Sequence, residues 1–204
     1  PMVYAGTVHK GSGNFIGRGK FGGKPREVFI LHRGDVTQPR DPVQPATVPG
    51  VVPGVSPVFD LPKDHKEGDR RVALAEWITH RENTLTWRSI VNRIWQYHFG
   101  RGIVDTPNDF GTVGGTPTHP ELLDWLAVEF RDGGGSMKNL SRMILKSAVY
   151  KQSSVHNPEY VKIDDSNRFL WRQNRRRLEA EALRDTVLLV SGKLDRKMGG
   201  PSFK

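Results

Sequence analysis

The sequence predicts a mainly α fold: a bundle of about five helices, preceded by a short β/loop segment and a Pro-rich extended strap. Three observations predict it. Glycine and proline crowd the first third of the 204-residue chain. Apolar residues recur at i, i+3, i+4 spacing after Gly68. Helix start and stop signals flank those apolar stripes.

The elements follow in order. Met2–Ala5 and Glu27–Leu31 are short apolar runs that read as strands, joined by a Gly- and Lys-rich connection over residues 11–24. The opening strand is expected to continue from an upstream domain. Thr37–Pro62 carries seven prolines, and proline donates to neither helix nor ladder, so the segment should run extended with almost no regular structure. The first helix places Leu74, Trp77 and Ile78 on one face behind Asp69 as N-cap. Thr86 opens the second, whose stripe is Ile90, Val91, Ile94, Trp95 and Phe99, and Gly100 and Gly102 end it. Thr118 and Glu121 have the spacing of a capping box for the third, with Leu122, Leu123, Leu126 and Phe130 buried and Gly133–Gly135 as its stop. Ser136 caps a fourth helix bearing Leu140, Met143, Ile144 and Ala148. A loop around Asn157-Pro158 precedes a last helix from about Asn167 to Ser191, closed by Gly192. The expected organisation is a β/loop segment at 1–36 completing an upstream domain, a Pro-rich extended linker at 37–67, and a helical domain at 68–204.

Composition narrows the chemistry. There are no cysteines, which excludes disulfides, thiolate metal sites, cysteine nucleophiles and covalent haem attachment in this chain. No apolar run approaches the roughly 20 residues a membrane span needs. The net charge is +9, which speaks to solubility before fold and would suit nucleic acid, an anionic polysaccharide or an acidic partner. The seven histidines never fall at i, i+4, and no HExxH occurs, so no metal is assigned. There is no GxSxG, no P-loop, and no GxGxxG between a strand and a helix. Tight nucleotide binding is not expected.

Three long blocks resemble one family. They are TLTWRSIVNRIWQYHFGRGIVDTPNDFG (Thr84–Gly111), TPTHPELLDWLAVEF (Thr116–Phe130) and NRFLWRQNRRRLEAEALRDTVLLVSGKL (Asn167–Leu194). The chain is similar over these blocks to the C-terminal conserved domain of unknown function in the planctomycete cytochrome-c-associated proteins. LHRGD (Leu31–Asp35) and GGP (Gly199–Pro201) extend the likeness. It departs from the family at Asn108, where a second acid is usual before Asp109, at Gly133–Gly135, which replaces a tryptophan, and at Thr84, where proline is usual. The resemblance implies an extracytoplasmic multidomain protein. Any haem c would sit in a separate domain, and no cofactor is expected in this chain.

Two residue groups are candidate sites. Arg93, Asp109 and His119 come from a helix, the following loop and the next helix start; together they offer a cation, a carboxylate and an imidazole for acid/base work or anion binding. The same three residues also suit a buried network in which Arg93 bridges Asp109 and His119 caps a helix. Arg172, Arg175 and Arg176 form a basic strip that suits sulfate or phosphate groups. A helix through Arg177 and Glu181 would instead pair them at i, i+4. Arg33-Gly34-Asp35 spells an adhesion tripeptide that three residues produce often by chance. The reading that follows is a non-catalytic structural or interaction domain whose partners are upstream domains of the same protein and an anionic polysaccharide, with no membrane insertion and no nucleic acid. The alternative is part of an enzyme acting on extracellular polysaccharide or a related polymer, with the cytochrome c domain as electron partner.

Overall fold

In the computed structural model, the described residues are 7–8, 24–25, 28–197 and 199. Most of the opening β/loop segment, including the expected strand at Met2–Ala5 and the Gly-rich connection, lies outside them, as does most of the closing GGP. The fold is mainly α, with seven helices among the described residues. The chain divides into two compact units, Pro1–Ile144 and Leu145–Lys204.

Two antiparallel ribbons begin the first unit. β1 (Thr7–Val8) pairs with β2 (Lys24–Pro25). β3 (Val28–His32) pairs with β4 (Asp35–Val43), with Val28 opposite Val43 and His32 opposite Asp35. Arg33 and Gly34 make the two-residue turn between them, both at positive φ (49° and 82°), the conformation that matches strand twist in a tight hairpin. The Arg33-Gly34-Asp35 tripeptide is therefore the hairpin's turn. Asp35 steadies it by accepting from the Thr37 N–H at 2.9 Å and the Thr37 hydroxyl at 2.7 Å.

β4 corrects the expectation for Thr37–Pro62, because the first residues of that segment are in a ladder. A two-stranded ribbon is all edge, and register shifts beside Leu31 accommodate Pro39 and Pro42 where a central strand would reject them. The rest of the strap is not featureless either. Ala46 bridges Val58, the Thr47 N–H donates to Pro57 O at 2.7 Å, and the Phe59 N–H donates to Pro45 O at 3.0 Å. Proline lacks a donor but keeps its carbonyl, and here those carbonyls close the loop. Ala46, Thr47 and Val52 are buried by it.

Four helices follow: α1 (Glu67–Ile78), α2 (Thr84–Phe99), α3 (Pro120–Asp132) and α4 (Met137–Lys146). Their caps differ in detail from the sequence reading. Asp69 is not the N-cap of α1; it sits in the first turn, where its carboxylate accepts from the Lys66 N–H at 2.8 Å. Asn83 rather than Thr86 starts α2, its side chain accepting from the Thr86 N–H at 3.3 Å. The Thr118–Glu121 capping box does not form. Thr118 lies one residue before the N-cap His119, and its N–H and hydroxyl both donate to Ile103 O, at 3.0 and 3.4 Å. A tertiary acceptor outcompetes the local one.

α2 and α3 pack together and supply most of the core: Val91, Trp95 and Phe99 from one, Leu123, Leu126, Ala127 and Phe130 from the other. Trp95 stacks on Phe99 with ring centroids 4.3 Å apart. Ile103, Val104, Leu140 and Ile144 complete it. Gly100 ends α2 in the left-handed conformation, φ 86°. Arginine clamps fasten α3 to α2 and to the turn before α2 at the surface. Arg88 of α2 grips Asp124 of α3 through two bonds of 2.5 and 2.8 Å, and Arg81 and Arg131 both hold Asp132.

The second unit carries α5 (Ala148–Lys151), α6 (Pro158–Ile163) and α7 (Ala180–Val190). Asn157-Pro158 is thus a helix start rather than a plain loop, with Asn157 capping and Pro158 in the first turn. Ala148 belongs to α5, not to α4, and is exposed. The expected helix from Asn167 is shorter than predicted, because residues 167–179 are not helical. Asp164 accepts from the Arg168 and Phe169 N–H groups at 2.9 and 2.8 Å, and Asn167 donates to Arg172 O at 2.8 Å. Short polar side chains thereby take the backbone groups a helix would have used. Asn167 and Leu170 sit at positive φ, 53° and 56°.

Candidate functional site

Arg93 and Asp109 line one cleft of about 610 Å³, formed in the first unit by α1, α2, the loop at 107–111 and Val51 of the strap. Its floor is the start of α2. There Asn83 is buried and both ends of its amide are engaged, donating to Trp77 O at 3.0 Å while accepting from the Thr86 N–H. Ser89 donates to Thr86 O at 3.1 Å. Trp77, Leu85 and Phe110 give the cleft apolar walls, and Arg93 and Asn108 are exposed at its rim.

The loop after α2 is held by Asn92, which is fully buried on the helix. Its amide accepts from the Val104 N–H and donates to Val104 O, both at 2.9 Å, as a neighbouring strand would. Only glycine fits beside it. A Cβ on Gly102 would lie 2.4 Å from Val104 O and 2.7 Å from the Asn92 amide. The next turn is similarly tight: a Cβ on Gly114 would lie 2.3 Å from Asp109 O, and one on Gly115 would lie 2.2 Å from Asp105 Oδ1. This packing sets where Asn108 and Asp109 stand.

The candidate residues are therefore placed as follows. The Arg93 guanidinium donates to Asn108 Oδ1, not to the Asp109 carboxylate. Asp109 Oδ1 accepts from the Gly111 N–H at 2.9 Å, and Asp109 O accepts from the Thr106 hydroxyl at 2.8 Å. His119 does not line the cleft; it is the N-cap residue of α3, with Nδ1 2.9 Å from the Thr118 hydroxyl. Two of the three residues share a wall, and the third is elsewhere. Among the described residues, no three His, Cys, Asp or Glu side chains are grouped to hold a metal ion.

The basic strip lies in the non-helical segment of the second unit. Arg172 rests over the Trp171 ring, 5.0 Å from its centroid, and the Arg175 Nε donates to Ser154 Oγ at 3.4 Å. Arg177 precedes α7, so no helical i, i+4 pair with Glu181 is set up. Sequence reasoning missed Asn92 and Asn83, which organise the cleft. Their signal was a polar amide inside or just ahead of an apolar stripe.

The sequence model of one family, described as PSD1, protein of unknown function (DUF1553), matches residues 70–204, two thirds of the chain. The chain belongs to this family. All three of the long blocks singled out above fall inside the PSD1 match. No curated protein and no solved structure matches. The PSD1 region supplies every lining residue of the cleft except Val51, which the strap contributes.

Proposed function

We propose that this PSD1 chain is a non-catalytic structural or interaction domain of a larger extracytoplasmic multidomain protein. The observation that carries this reading is the local use of the cleft's polar groups. Arg93 is turned to Asn108, the Asp109 carboxylate to its own loop's backbone, and His119 to the start of α3. A catalytic set keeps its acid, base and cation in mutual reach of one reacting atom. Haem c, in this reading, belongs to a separate domain, since a chain without cysteine forms no thioether links. Exposed apolar side chains at helical spacing on α7, namely Leu183, Val187 and Val190, suit a domain that meets partners.

One observation favours the alternative, an enzyme part acting on extracellular polysaccharide. The cleft is open, has the size of a small-molecule site, and keeps a cation and a carboxylate on one wall. Thermal unfolding of Asp109→Ala and His119→Ala beside the parent separates the two. In the structural reading both variants melt earlier; Asp109→Ala loses a backbone hydrogen bond worth about 1 kcal/mol, which lowers Tm by roughly 2–4 °C. If both melt as late as the parent while an activity on polysaccharide disappears, the structural reading is wrong and the cleft is an active site.

A further inference from the structure

The second unit contains an aromatic corner beside a guanidinium that stacks on one of its rings. Tyr160 and Trp171 meet nearly at right angles (71°) with ring centroids 5.6 Å apart, and both line a pocket of about 470 Å³ with Ser153, His156 and Asn157. The indole N–H is committed to Asp164 O at 2.9 Å, which fixes the ring's orientation. Ser153 Oγ accepts from the Val155 N–H and Asn157 Oδ1 from the Glu159 N–H, so the hydroxyl proton and the amide NH₂ are left to donate. Arg172 lies over Trp171, and its enclosed Nε has no hydrogen-bond partner among the described residues. The surroundings are basic. Residues 145–204 hold thirteen Lys/Arg against seven Asp/Glu, so six of the chain's nine net positive charges fall in this unit.

We propose that this corner binds an acidic sugar residue, with the pyranose ring lying against Trp171 and Tyr160 and its carboxylate taken by Arg172. A pyranose has an apolar C–H face and a rim of hydroxyls, which suits flat aromatic walls edged by a few hydrogen-bonding groups. A guanidinium donates to both oxygens of a carboxylate in a two-bond fork. An acidic peptide would use the charge but not the rings. A nucleic-acid groove needs a longer track of stacking residues than one corner. The proposal rests on the interaction reading but on a different site from the Arg93 cleft, so the two fail separately.

The test is calorimetric titration of the 204-residue chain at low salt with tetragalacturonate, its methyl ester, tetraglutamate and a thymidine oligonucleotide. Tetragalacturonate binds, and the methyl ester, which lacks the charge, binds at least about tenfold more weakly. Trp171→Ala, Tyr160→Ala and Arg172→Gln each weaken binding by a similar factor, whereas Arg93→Gln leaves it unchanged. If Trp171→Ala loses its circular-dichroism signature, the variants at exposed Tyr160 and half-buried Arg172 decide. No heat at millimolar sugar, equal binding of tetraglutamate, tighter binding of the oligonucleotide, or full affinity in folded corner variants overturns the proposal. Loss of binding in Arg93→Gln would place the sugar in the other cleft.

Discussion

Asn92 is a polar residue where the helical stripe calls for an apolar one, between Val91 and Trp95. It is tolerated because both halves of its amide are satisfied by one backbone unit, Val104. Asn92→Ala strands a buried N–H and a buried C=O, so it should destabilise by about 2–4 kcal/mol and lower Tm by roughly 5–15 °C. Gly102→Ala should cost about 1–3 kcal/mol by overpacking the same amide. Chemical unfolding of both variants checks this; a Gly102→Ala protein as stable as its parent would show that the loop shifts freely. Arg93 and Asp109 make a second test at this scale. Since Arg93 pairs with Asn108, a double-mutant cycle should give coupling for Arg93/Asn108 and almost none for Arg93/Asp109.

At the scale of elements, the α2/α3 pair is joined by its apolar faces and closed by the arginine clamps. The Arg131 guanidinium hydrogen-bonded to Asp132 holds that carboxyl below its ordinary range, outweighing desolvation, and the charges of Arg131 and Arg81 add to it. A depressed folded-state pKa stabilises the fold above the unfolded-state value, near pH 4, and the benefit is lost as pH falls through the lower folded-state value. Asp132→Asn should therefore flatten the loss of stability below about pH 4 while leaving the shape of the curve above pH 6 unchanged. Urea melts across pH 3–7 measure it. On α7, Leu183, Val187 and Val190 fall on one face, yet none is buried. Leu183→Ser and Val187→Ser should shift stability by no more than about 0.5 kcal/mol in this chain, as surface changes do.

Across the whole molecule, every buried apolar side chain among the described residues lies at or before Ile144, and the only buried residue after it is Asn167. Apolar burial is the main favourable term in folding, so the two units should differ in local stability. Hydrogen exchange should find the strongest protection in α2 and α3 and fast exchange through 145–197. Equal protection in both units would contradict this.

The sequence by itself determined the first four helices and their order. A stripe at helical spacing marks one face of a helix, so α1 to α4 were legible from Leu74, Val91, Leu123 and Leu140, with glycines closing α2 and α3. It also determined the absence of cysteine chemistry, and enough of three long blocks to find a family. Only the tertiary structure decided the caps, the strap and the site. Thr118 had a local partner in Glu121 and took Ile103 O; Pro45 and Pro57 looked like chain breakers and became acceptors; Arg93 could have met Asp109 and met Asn108. In each case the partner lies ten or more residues away, and spacing in sequence carries no information about which distant group folding brings closer.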